Sequence, residues 1–155
     1  MAEKQIFVQP LDEVSTTEKD ILGDIRNENG KVYKYVQLDE QSVSTVVTGN
    51  ALVYIADTGY AANQVTADMS TGDATTPIAA GVVNPAAVAD DEYFWMQIQG
   101  AASISTTIAS GADGNGIQSG TTDRAFTRAA GTGNVRPCGV IVDISALEVV
   151  LDCVL

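Results

Sequence analysis

From Leu147 to Leu155 every second residue is apolar. Leu147, Val149, Leu151, Cys153 and Leu155 share one parity, and Glu148, Val150, Asp152 and Val154 the other. Successive strand residues point to opposite faces, so a period of two specifies a strand and does not fit a helical stripe. The rhythm recurs where Val32, Lys34, Val36 and Leu38 oppose Lys31, Tyr33, Tyr35 and Gln37. It recurs again where Tyr93, Trp95, Gln97 and Gln99 oppose Phe94, Met96 and Ile98. Lys34 is the exception on its face: it must lie at an edge or carry its ammonium out along its aliphatic stem.

The rest of the chain is punctuated accordingly. Asn29-Gly30 is a two-residue hairpin signal, because both residues accept positive φ. SVSTVV and NALVYIA are short β-rich runs either side of Thr48-Gly49, Asp57-Thr58-Gly59-Tyr60 turns the chain, and NQVTADM predicts a brief strand. IAAGVV lies among Gly72, Pro77 and Gly81, and ASISTTIA continues the aromatic strand with Ile104, Thr106 and Ile108 on one side. From Ser110 to Gly133 the only predicted element is AFTRAA; CGVIVDI and a last strand reaching the final residue follow. Near the start, Ser15 and Glu18 match a capping box ahead of Ile21, Leu22 and Ile25, while Gly23 opposes a helix. A short turn or helical piece is expected at 16–20. Residues 1–14 read as an extended arm, with Ile6 and Val8 alternating with Phe7 before Pro10 denies a ladder donor. Short strands at intervals of about 8–12 residues predict an all-β fold. The expected form is a compact β-sandwich or small β-barrel/β-tulip-like domain with an extended N-terminal arm. The arm and turn take residues 1–21 and a single β domain takes 22–155.

Composition excludes several chemistries. There is no histidine, which removes Ser-His-Asp and Cys-His catalysis, histidine metal sites and the usual base near neutral pH. Cys138 and Cys153 cannot form a four-thiolate zinc site, and two cysteines make a disulfide framework an improbable basis for the fold. Geometry allows them to pair, although buried free thiols are the default in a reducing compartment. No apolar run reaches the roughly 20 residues of a membrane helix, and no signal-like stretch opens the chain. A soluble chain folding in a reducing cytosol is expected. The formal charge of −12 repels phosphate backbones, making nucleic acid a poor partner. Bases are segregated: from Tyr35 through Asp123 there is no Lys or Arg, but ten acids. Either this is a solvated surface of one sign, or the two basic ends come together against an acidic partner.

Candidate sites are few. The segment 110–120, SGADGNGIQSG, lacks the Lys and helix of a phosphate loop, and places Gly111 and Thr122 where a calcium loop needs acids. It reads as a surface turn. Asp90, Asp91 and Glu92 read as an acidic turn before a strand, because adjacent strand residues do not converge on one ion. Any two acids could serve a glycosidase, so their number is not evidence for one. Trp95 and Tyr93 fit the core better than a sugar-stacking face.

The order of segments resembles the small decoration, or cement, proteins of tailed-bacteriophage heads. The resemblance is carried by RNENGKVYKYVQL, VVTGNALVYIADTGYAANQVTADMS, PIAAGVV, DEYFWMQIQGAASI and the closing CGVIVDI and VVLDCVL, over about residues 22–155. Gly81-Val82-Val83 and the run from Tyr93 to Gly100 are similar to a recurring pattern of that family. It implies a non-enzymatic structural protein, without cofactor or metal, made in the host cytoplasm and bound to the outer capsid surface at junctions between major capsid subunits, often as a homotrimer. An acidic chain suits the outside of a head better than its DNA-filled interior. A loose arm carrying Ile6, Phe7 and Val8 is expected to order on assembly by adding a strand to a neighbour. Arg124, Arg128 and Arg136 are the other expected interaction residues. The rival readings are a carbohydrate-binding adhesin stacking sugars on Tyr93, Trp95 or Tyr60, and a hydrolase with paired carboxylates.

Overall fold

The computed structural model describes residues 6–39, 45–55, 62–69, 78–129 and 137–153. Its regular elements are strands, so the chain is all-β as expected. Strands β2 (Ile25–Glu28) and β3 (Lys31–Leu38) form a hairpin through Asn29 and Gly30, at φ 52° and 75°. These positive angles give the turn the right-handed twist of its strands.

The long strand β9 (Tyr93–Ser103) organises the fold. Met96 pairs with Lys34 of β3 on one side and with Val83 of β7 (Ala79–Val83) on the other. Strand β7 pairs with β5 (Ala51–Tyr54), β5 with β6 (Gln64–Thr66), and β6 runs parallel to β3. The series β3–β9–β7–β5–β6 therefore returns to β3 and closes a small ring, which removes the edges an open sheet would expose. Gly81 permits the close approach of β7 to β9: a Cβ there would collide with the Gln97 carbonyl and meet Met96 Cγ at 2.9 Å. Val36, Leu38, Leu52, Val65, Phe94 and Met96 fill the interior with no exposure.

Beyond the ring, residues 99–103 of β9 pair with β13 (Glu148–Asp152). The sheet continues through β12 (Gly139–Asp143), β10 (Gly116–Ser119) and β11 (Phe126–Arg128). Strands β4 (Thr45–Val47) and β8 (Ala87–Ala89) make a separate pair in which Val46 faces Val88, both fully buried. Thr48-Gly49 is a turn as expected, but it carries the chain from one sheet to the other rather than closing a hairpin.

Several expectations are corrected. Of the turn or helical piece expected at 16–20, the chain takes bends and not a helix: the Ser15 hydroxyl turns onto Thr17, donating to its carbonyl at 2.7 Å, and Glu18 accepts from Leu22 N instead of closing a capping box. Strand β10 lies inside the glycine-rich connection, where only AFTRAA was expected to be ordered, and β8 was not foreseen. ASISTTIA contributes only its first residues to β9 and then leaves the ladder. The last strand ends at Asp152; residues 154–155, like the turn at 57–60, lie outside the described residues.

Candidate docking surface

Both faces of the β3–β9 pair are apolar. Phe94 and Met96 face the ring interior, whereas Tyr33, Tyr35 and Trp95 face outward and need a separate cover. The N-terminal segment supplies it. Phe7 packs edge-on against Trp95 with ring centroids 4.9 Å apart, and Leu11 and Leu22 complete the cluster. Short strand β1 (Val14–Ser15) then joins the start of β9, Val14 pairing with Phe94.

Gln9 fastens this cover. It is fully buried, accepts from the Tyr35 hydroxyl at 2.7 Å, and donates from Nε2 to the carbonyls of Glu13 and Tyr93 at 2.8 and 2.9 Å. Its own carbonyl accepts from Trp95 Nε1 at 3.0 Å and from Arg26 at 3.2 Å. The Asp20 carboxylate accepts from the backbone N–H groups of Val8 and Gln9, at 2.8 and 2.9 Å. Arg26 lies 5.4 Å from the Phe7 ring centre and pairs with Glu28 at 2.6 Å. The expectation of a loose arm is thus corrected from Phe7 onward: the segment is seated on the domain because Trp95 and Tyr35 would otherwise meet water. Phe7 is part of the packing and not a free contact.

The same alternation that turns Phe7 inward turns Ile6 and Val8 outward, 83% and 65% exposed, beside Ile21 at 72%. Together with Glu18, Lys19, Asp20 and Asp24 they line an open groove of about 450 Å³. This is an apolar strip among three carboxylates and one ammonium, held by a hydrogen-bonded frame. Such a surface suits a partner segment that is apolar with basic flanks. Ile21 and its acids escaped the sequence reading, since exposure on a bend leaves no periodic signal.

The remaining candidates do not join this surface. Arg124 donates to the Thr45 carbonyl at 2.9 Å, and its backbone, at φ 66°, bonds Ala67 and Ala51. That arrangement ties β4, β5 and the residue after β6 together. Arg128 is exposed on β11, and among the described residues neither arginine hydrogen-bonds to the arm. Arg136 and Tyr60 lie outside them. Trp95 is fully buried and Tyr93 stacks on Tyr35 with centroids 6.3 Å apart, so the Trp95 sugar platform is withdrawn. Asp113 caps Ile144 N at 2.9 Å and Asn115 accepts from Ala112 N, so the glycine-rich segment is a structural turn. Asp90 to Glu92 form a tight turn in which Glu92 accepts from Ala89 N at 2.7 Å. Among the described residues no three metal-ligating side chains converge. Cys138 and Cys153 are free buried thiols, with Cys153 Sγ 3.4 Å from the Cys138 carbonyl oxygen.

Comparison with known proteins gives no further lead: no family model, curated protein or solved structure matches this chain.

Proposed function

We propose that this chain is a non-enzymatic head-decoration protein, binding the outer surface of a phage capsid at junctions between major capsid subunits as a homotrimer. The observation that carries the docking site is the inward–outward split of the arm. Phe7 and Gln9 are fixed inside, which holds Ile6 and Val8 out next to Ile21. A pre-seated strip loses little conformational entropy on binding, so each modest contact contributes more of its gross energy. Repetition over a shell adds these contacts, and a protein that binds only the assembled lattice stabilises it by mass action. The segment order described above supports the capsid as partner, and the acidic charge supports its exterior.

The test adds purified protein to heads built from the major capsid protein of the same phage and measures occupancy. The variant Ile6→Ser/Val8→Ser/Ile21→Ser should bind about tenfold or more weakly with unchanged melting, because the three side chains are exposed. Equal occupancy would discard this docking surface, and no binding by the unaltered protein would discard the capsid reading. A saturable hit on a glycan array would favour an adhesin instead. Light scattering checks the trimer.

A further inference from the structure

A second groove, of about 400 Å³, opens on the other side of the β2–β3 hairpin from the aromatic cluster. Ile25, Val32, Ile98 and Cys153 form its apolar walls, and Lys34 and Tyr54 its polar end. The Lys34 ammonium donates to the Tyr54 hydroxyl at 3.1 Å and lies 4.9 Å from the centre of the Tyr54 ring. Tyr54 is 2% exposed, so its ring is packed into the domain at this end of the groove.

The geometry points to a binding site for an aliphatic carboxylate, its head group on Lys34 and Tyr54 and its chain along Ile25, Val32 and Ile98. Three observations support it. The cation forms no ion pair among the described residues, in a chain where acids outnumber bases twenty to eight. A half-buried ammonium that meets, among the described residues, a neutral hydroxyl and a ring face is under-compensated, and burial accordingly holds it below its ordinary pKa. An arriving carboxylate would provide the missing charge-assisted hydrogen bond. The volume falls in the range of small-ligand sites, and a lining that is apolar apart from Lys34, Tyr54 and the exposed Gln99 favours an amphiphile over a sugar or nucleotide. An alcohol of the same length would bury the same chain without the charge pair, and an amine would meet Lys34 as a like charge.

Sodium octanoate, below its micelle concentration, is the probe, followed by amide chemical shifts in the full chain. Saturable shifts at Ile25, Val32, Ile98 and Gln99 are expected, with octanol and octylamine weaker by about tenfold or more. Lys34→Met should reduce octanoate affinity by a similar factor while leaving octanol unchanged, and Tyr54→Phe should reduce it less. Octanoate that does not bind, that shifts residues elsewhere, that binds Lys34→Met equally, or that is matched by octylamine overturns the assignment. The three-ligand comparison needs no variant, so it decides the matter even if a substitution perturbs folding.

Discussion

Gln9 and Tyr35 meet through a 2.7 Å hydrogen bond in which the phenol donates to Gln9 Oε1 and neither residue reaches solvent. The glutamine also serves the carbonyls of Glu13 and Tyr93. Gln9→Ala would leave the buried Tyr35 O–H without its acceptor and two part-buried carbonyls without their donor, and an unmet buried group costs about 1–3 kcal/mol. We expect a loss of roughly 2–4 kcal/mol in urea unfolding. A loss under half a kilocalorie would show that water replaces the amide without penalty.

Much of the strand pattern was legible in the sequence, and the arm was not. Strand β13 alternates buried and exposed residues because one of its faces is covered, β3 and β9 kept a readable parity although both of their faces carry apolar residues, and Asn29-Gly30 named its own turn. The second apolar face of β9 was also visible, since Tyr93 and Trp95 share a parity opposite Phe94 and Met96. Its consequence, that something must cover Trp95, was the signal available for the docked arm. Gln9 itself reads as an ordinary surface residue, because its burial depends on groups 26 and 84 positions away. Strands β8 and β10 span only three and four residues, too short to display a period. The grooves that hold Ile21 and Lys34 arise from tertiary placement and leave no mark on local spacing.

Trp95 is the only tryptophan, so its fluorescence reports whether the arm is seated. Phe7→Ala removes the ring packed on it. Because Phe7 is half-buried, the expected cost is at the low end of aromatic truncations, about 2–3 kcal/mol. The emission should shift to the red as water reaches the indole. Deleting residues 2–14 should shift it further and lower the melting temperature by several degrees. Native emission from the deletion would mean that the arm does not cover Trp95.

Asp39 gives a pH signature. Burial first, then the nearby Asp90 and Asp91 carboxylates, push its pKa above the ordinary value of 3.8. The folded state therefore favours the protonated form. Stability from this group is fully present below the unfolded pKa and is lost as pH rises through the higher folded one. Asp39→Asn, which stays neutral, should melt about 1–3 °C higher than the unaltered protein at neutral pH. The two should coincide near pH 3, where both side chains are uncharged. A variant that is less stable at neutral pH would reverse the sign and exclude this account.

The two thiols give a kinetic test of the C-terminal packing. Cys138 and Cys153 are 4% and 5% exposed. The Cys153 thiol is pushed well above its ordinary pKa, first by its hydrogen bond with the Cys138 side chain and then by burial. Only the thiolate reacts readily with a disulfide reagent, so both access and ionisation protect this cysteine. Cys153 N also donates to the Ile98 carbonyl at 2.9 Å, so exposing the thiol requires pulling the end of the chain from β9. With an aromatic disulfide at neutral pH, the native protein should release almost no thiolate over minutes, and both cysteines should react at once in urea. The slow native rate should follow the opening equilibrium, rising when Val149→Ala loosens β13, whose side chain is buried. Prompt reaction of one thiol in the native protein would show that β13 frays independently of the ring.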